Sequence, residues 1–569
     1  SRYTTLIYSS AVVCFAATCL FAIAVLGWAS MVLYERHNGF AQAVFAPPMR
    51  PEPREVERSV GPFPPWMEAN VTRVDGRIAG GVVRLAGDEE ELAEKRWEEE
   101  RVSAIQDELD TRLSSLGLPP STDLPCANIN ADETLFSRYS PLRGAGSAPS
   151  HARSGPTFFA LNLYNSQHVL PSLSRTLLAL SSFLGPETVH ISIFENGSTD
   201  NTTVALAHLA AALSALGTPH TIVSDPRPTP WHKVDRIAQL SLYRNIALLP
   251  LEAAPLNSTA PPQDVVFIND VFVCPRDVLE LLFQRRVQHA DAACAMDWRE
   301  NKGLAKRWNR SVKFYDNWVS RSLTGRMLRF KFDIFSDWRD GVKELFDQPG
   351  EEYSRARFGK GLAVPVYSCW NGVLALSAAP FLSSSVSPRY QQSTLPLSSG
   401  VEDENWQRTS PVRAGSGPVR FRSALSAQGE CSASECKTLA RDFWTRGFDR
   451  WMIIPTVRVT YDLAAYLHPQ LVALSSLSPP SLSTLSLSNS ISRSPDPPSS
   501  SEATPFSPPS SPSESEELIP WRTLTPPSSV LCFPWARGWH IDLEWWRATW
   551  ERPFEGLWAL RKRVVVARL

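Results

Sequence analysis

At 569 residues the chain exceeds one ordinary domain and carries ample apolar material for a large core. Hydrophobic residues at 43% and charged residues at 20% are globular values, while 47 prolines point to long irregular stretches. A net charge of −1 gives no argument for nucleic acid or an anionic membrane surface as a partner, so local clusters must carry any electrostatic case.

In chain order, Tyr3 to Tyr34 contains no Asp, Glu, Lys, Arg or His. That exceeds the roughly 20 apolar residues needed to cross a bilayer and the apolar core of a signal peptide. Residues 1–34 are therefore expected to be a transmembrane anchor with a short N-terminal tail, and 35–154 a stem or linker. Within the stem, Asp88 to Leu116 is dense in Glu, Lys and Arg, with Val102, Ile105, Leu109, Leu113 and Leu116 spaced by threes and fours. This is an amphipathic helix, and two placements are open for it: a coiled coil in a stem, or packing on its own domain.

From 155 to 462 strand and helix signals alternate. Thr157–Leu163, His190–Phe194, His220–Val223 and Val265–Ile268 read as strands, with helices over Val169–Leu184, Thr202–Leu216 and Val234–Leu249 between them. A further strand is expected at Val373–Leu376 and a last one over Ile453–Tyr461. Such β-α alternation predicts an α/β fold with a mostly parallel sheet and helices on both faces. Residues 463–529 are dominated by Ser and Pro and are expected to be a disordered insertion, since they cannot bury enough apolar surface to offset ordering entropy. Aromatic density returns over 530–569, which is expected to pack back on the domain.

The chemistry concentrates where strands end. The apolar run Val265–Ile268 stops at Asn269-Asp270, and Cys274-Pro275-Arg276-Asp277 then opens a helix with Pro near its first turn. Ligands of open α/β sheets bind beyond the carboxyl ends of the strands, so Asp270 is placed to hold a divalent cation and a charged substrate; capping the following turn is its alternative role. Glu195-Asn196-Gly197-Ser198-Thr199-Asp200 puts carboxylates and a flexible glycine before a helix, where a nucleoside could sit, or where the groups merely cap that helix. Lys233, Arg236 and Arg244 lie on or beside one helix and could bind phosphate or face solvent. No CxxC pair occurs among nine cysteines, which argues against zinc; Cys431 with Cys436, or Cys274 with Cys294, are candidate disulfides.

Phe194-Glu195-Asn196-Gly197-Ser198-Thr199-Asp200, Phe267-Ile268-Asn269-Asp270-Val271 with Cys274-Pro275, Ala293 to Asp297, Cys369-Trp370-Asn371-Gly372, and Ser434-Glu435-Cys436 with Asp442 occur in that order. Together they resemble the fungal capsule-associated α-1,3-mannosyltransferases of glycosyltransferase family 69. The resemblance implies a GT-A-like nucleotide-sugar-binding domain in a single-pass type II Golgi protein with a lumenal catalytic part. It further implies mannose transfer from GDP-mannose to a glycan acceptor with net retention, aided by a divalent cation such as manganese. Carried onto this chain, Asp270 becomes the metal and diphosphate ligand, with Asn269 and Asp297 behind it. The turn residues Glu195, Asn196, Gly197 and Asp200 become nucleotide contacts, with Arg236 and Arg244 as phosphate candidates. Glu435 and Asp442 are candidates for orienting the acceptor, with helix capping open for Glu435. The chain has Asn-Asp-Val where many GT-A enzymes have Asp-x-Asp, and so supplies one carboxylate there. A non-catalytic accessory protein of polysaccharide synthesis or export is the competing class. In a lumenal protein the sequons at Asn70, Asn196, Asn201, Asn257 and Asn309 become possible glycan sites, with Asn196 expected to stay bare.

Overall fold

The computed structural model describes residues 88–129, 136–143, 155–253, 261–300, 312–316, 318–328, 345–382, 417–425, 434–475, 518–524, 527, 530–531 and 563–564. Tyr3–Tyr34 and the 535–558 tail lie outside them; among the described residues no helix is long and apolar enough to cross a membrane. Two compact units are distinguished. Of the described residues, Pro230–Arg236 fall in one and all the others in the second.

The described residues open with helix α1 (Asp88–Ser115), then β1 (Thr157–Leu163), α2 (Leu170–Leu184), β2 (Val189–Glu195), α3 (Thr202–Leu216), β3 (His220–Ser224), α4 (Arg236–Ala253), β4 (Asp264–Ile268) and α5 (Pro275–Val287). It continues through β5 (Ala292–Glu300), β6 (Val312–Phe314), β7 (Arg321–Ser322), α6 (Glu352–Gly359), β8 (Val364–Ser368) and β9 (Val373–Ser377). Helices α7 (Ala379–Leu382) and α8 (Glu435–Trp444), strand β10 (Trp451–Thr460), α9 (Leu463–Tyr466) and α10 (Pro469–Ser475) follow. Strand order in the main sheet is β3-β2-β1-β4-β9-β5-β10-β8-β7, with β6 on β5.

The first four strands pair in parallel, as the alternation predicts. The second half departs from a mostly parallel sheet. Strand β9 runs antiparallel to both β4 and β5, and β8 antiparallel to β10, while β5 and β10 pair in parallel. A parallel neighbour needs a crossover of about a dozen residues, usually a helix. Helices separate β1 to β5 in this way, whereas only Cys369 to Gly372 separates β8 from β9. The sheet is mixed.

From β1 the chain moves outward to β2 and β3, then returns to the other side of β1 as β4. Ligands of open α/β sheets bind at such a reversal, here beyond the carboxyl ends of β1 and β4. Behind it, β4 is anchored at its start: Asp264, fully buried, takes ion pairs from Arg285 and Arg286 in the last turn of α5. At the other end of α5, Cys274 and Asp277 form the expected helix start as a capping box with Pro275 at the first turn, and Tyr466 of α9 donates to Asp277 at 2.8 Å.

Helix α1 takes the second of its two placements. Val102, Leu109 and Leu113 are buried in the same core as Phe159, Leu173 and Leu209. Phe136, Tyr139 and Leu142 join that core, and Arg138 and Tyr139 both bond Glu280 on α5. Residues 518–524, inside the expected insertion, also dock: Ile519 N and Trp521 Nε1 donate to Gln288 at 2.9 and 2.7 Å.

The candidate Cys274–Cys294 disulfide does not form. Cys274 pairs with Cys126 and Cys294 with Cys369, while Cys436 is a buried free thiol; Cys431 lies outside the described residues. Spacing along the chain carries little information about these bonds, because their partners are 148 and 75 residues apart.

Candidate active site

Asp270 stands half-buried just past the carboxyl end of β4. Burial pushes its carboxyl up to about 6 from 3.8, against the opposing pull of its own backbone hydrogen bond and of Arg244. Beside it, Asn269 is fixed at both ends of its amide. Nδ2 donates to the Tyr461 hydroxyl at 3.1 Å, and Oδ1 accepts from the Trp370 indole at 3.2 Å. Its backbone N also donates to Gly372 O at 2.9 Å. Asn269 thus serves to hold the Asp270 backbone in place.

Arg244 comes from the middle of α4. One arm pairs with Glu435 at the start of α8, and the guanidinium lies over Trp370, 4.6 Å from the ring centre, with Phe421 at 5.7 Å. Asn245 pins Phe421 through two hydrogen bonds to its backbone, at 2.8 and 2.9 Å. The structure therefore brings Asp270, Asn269, Arg244 and Glu435 together. Asp442 is also buried, but its carboxylate takes a two-pronged bond from Arg422 at 2.7 and 2.8 Å. Arg236 lies in the other unit, 5.3 Å over the ring of Trp231.

The Glu195–Asp200 turn lies at the end of β2, and its polar groups are largely spent within the turn. Glu195 is fully buried and accepts from Ser198 N and from the Ser224 hydroxyl. Asp200 accepts from Thr202 N at 3.0 Å and from Gln167 N at 3.2 Å, which closes the first turn of α3 and ties it to the loop after β1. Asn196 accepts from Asn162 at 2.9 Å. Gly197 has φ +79°, and a Cβ there would lie 2.5 Å from Arg227 O, so only glycine fits. The side chains shape this turn, Glu195 to Gly197 are buried, and only Thr199 of the turn is well exposed.

Asp297, buried on β5, and Asp316, half-buried after β6, form a carboxylate pair. Burial and the neighbouring Asp316 hold the Asp297 carboxyl well above the usual range. Asp316 is raised by burial as well, while accepting from Val319 N at 3.0 Å and Asn371 N at 3.1 Å. Gly372, whose Cβ would come within 3.3 Å of Val271 and 3.6 Å of Asp297, lets these segments close on one another.

The family model described as "Cryptococcal mannosyltransferase 1" matches residues 156–442. The chain belongs to that family. A curated relative, the alpha-1,3-mannosyltransferase CMT1 of Cryptococcus neoformans serotype D, is 29% identical over 338 residues. The match covers 58% of this chain and 61% of the relative. Solved structures that show some similarity to the chain include a mannosyltransferase from Pyrobaculum calidifontis in complex with GDP-Man and Mn2+, at TM-score 0.22 and 11% identity over 49% of this chain and 57% of that one. GalNAc-T7 with UDP, GalNAc and Mn2+ follows at TM-score 0.27 and 10% identity, over 73% and 58%. Superpositions this loose carry no residue correspondence.

The cryptococcal mannosyltransferase 1 match spans Asp270, Arg244, Asp297, Trp370, Glu435 and Asp442, and ends before Tyr461. Several partners escaped the sequence reading. Asp316 lies in the irregular stretch after β5, and Arg422 in a segment without periodicity, so no local signal marks either. Trp370 and Tyr461 stand at the edges of recognisable runs, and only the fold aims both at Asn269.

Proposed function

We propose that this chain is a GT-A-like retaining glycosyltransferase that moves mannose from GDP-mannose to a glycan acceptor in α-1,3 linkage. The observation that carries this is a half-buried carboxylate, Asp270, at the switch-point end of β4, close enough to Arg244 for the cation to oppose its protonation. Family membership supports the reaction class, and the relative's identity as an alpha-1,3-mannosyltransferase supports mannose.

The donor set fits a divalent cation of the kind held by one or two carboxylates plus substrate phosphates: Asp270 offers an anionic oxygen, and the diphosphate completes the shell. Manganese bound by Asp270 would neutralise charge on the departing diphosphate. The chain's own residues do the rest. Arg244, braced by Glu435 and stacked on Trp370, presents a fixed positive charge to the diphosphate. The part-exposed end of the Glu195–Asp200 turn, from Ser198 to Asp200, lies beside the nucleoside. Departure and attack on one sugar face require no enzyme nucleophile, which suits a site whose carboxylates are engaged: Glu435 by Arg244, Asp442 by Arg422, and Glu195 within its turn.

The apolar Tyr3–Tyr34 segment supports single-pass anchoring, and two disulfides support an oxidising lumen such as the Golgi. Calorimetry of GDP and GDP-mannose, with manganese and with chelator, tests the reading on the parent and on Asp270→Asn. Metal-dependent binding lost in the variant is expected. Silence toward GDP-mannose and other nucleotide sugars would instead favour a non-catalytic accessory protein.

A further inference from the structure

Tyr315 is a large aromatic side chain that remains 45% exposed, yet its ring is braced by two neighbours. It follows β6 directly, and its N–H donates to Asp297 O at 3.0 Å. The next residue, Asp316, donates its own N–H to the Asp297 carboxylate at 3.0 Å. The Arg299 guanidinium lies over the ring at 5.1 Å, and the Tyr461 ring packs against it in a T-shaped contact at 5.5 Å and 70°. Tyr461 in turn bonds Asn269, the neighbour of Asp270. A part-exposed aromatic side chain, braced by Arg299 and Tyr461, therefore lies two contacts from Asn269, the neighbour of the residue assigned to the diphosphate.

Its side of the sheet matters as much as its exposure. Strand β6 pairs with β5, which lies beyond β9 from β4, whereas the Glu195–Asp200 turn lies on β2, beyond β1. A donor whose nucleoside occupies the β1–β2 side and whose diphosphate reaches Asp270 leaves the β5–β6 side for the second substrate. The chemistry of that face suits a sugar. A pyranose presents a patch of C–H groups that packs on an aromatic ring while its hydroxyls stay in water, and tyrosine offers an apolar face with a polar tip. Because the ring is already braced, little rotamer entropy is lost when a ligand stacks on it.

We propose that Tyr315, backed by Tyr461, is the stacking platform for the acceptor sugar; this rests on the transferase reading above. Tyr461 acts through Tyr315 and Asn269 as a positioning residue.

The test uses the full chain loaded with GDP and saturation-transfer NMR, with three probes: methyl α-mannopyranoside, methyl β-galactopyranoside and methyl β-glucopyranoside. At least one probe should show transfer to its ring C–H protons. That signal should persist in Tyr315→Phe and fall about tenfold in Tyr315→Ala. Tyr315→Leu, which keeps an apolar cover over Tyr461 but removes the flat face, should lose it too; this guards against a variant that simply fails to fold. No signal with any probe on the GDP-loaded parent, or an unchanged signal in both Tyr315→Ala and Tyr315→Leu, overturns the platform. GDP-mannose binding measured on the same preparations reports separately on the transferase reading. Donor binding that is normal in the parent while the platform outcomes fail strikes the acceptor site alone.

Discussion

Arg244 and Glu435, 191 residues apart, form a buried ion pair that ties α4 to the first turn of α8. The side chains are 12% and 2% exposed, so neither charge is well served by water. Breaking such a pair leaves an uncompensated buried charge. Glu435→Ala is expected to cost about 3 kcal/mol in a urea melt. Replacing both partners together, as Arg244→Met with Glu435→Leu, should recover most of that loss. A Glu435→Ala protein as stable as the parent would return Glu435 to a free acceptor-orienting role.

Asp270 predicts a pH signature. Its folded value, about 6, lies above its ordinary 3.8. The stability linked to this group is therefore complete below about pH 4 and is lost as pH rises through about 6. Asp270→Asn removes that loss and should raise stability at neutral pH by at most ~3 kcal/mol, with no gain in acid. Thermal melts at both extremes check the sign. The parent's affinity for GDP with manganese should fall as pH drops through about 6, because a protonated carboxyl is a poor ligand. Pre-steady-state activity is not needed for either measurement.

The disulfide pairs bracket the site. Cys369 precedes Trp370, whose indole holds Asn269, and Cys294 sits three residues before Asp297 on β5. Cys294→Ser with Cys369→Ser is expected to cost about 2–4 kcal/mol and to weaken GDP binding. Peptide mapping without reductant should recover Cys126 with Cys274 and Cys294 with Cys369. Recovery of a Cys274–Cys294 peptide would refute this arrangement.

Two neighbouring sequons should behave differently in a protein made in the secretory pathway. Asn196 is 3% exposed and its amide is bonded to Asn162, whereas Asn201 is exposed at the start of α3. Peptide mass spectrometry should find glycan on Asn201 and none on Asn196. Glycan on Asn196 would place that turn at the surface and away from any nucleotide.

The sequence by itself determined the strands and helices of the first half, and put Asn269-Asp270 and the Glu195–Asp200 turn at strand ends. Apolar runs, helical periodicity and Pro or Gly punctuation are local signals, and β1, α3 and β4 need nothing more. The motif order further identified the family. What only the tertiary structure decided is which distant groups meet. It turned β9 antiparallel between β4 and β5, joined Cys126 to Cys274, paired Asp442 with Arg422, and spent the amide of Asn269 on Trp370 and Tyr461. It also placed α1 in the shared core and set Tyr315 beside Tyr461. Each of these joins residues far apart in the chain, and their hydrogen bonds, charges and disulfides have no period along the sequence. They follow from the packing that brings the strand ends together.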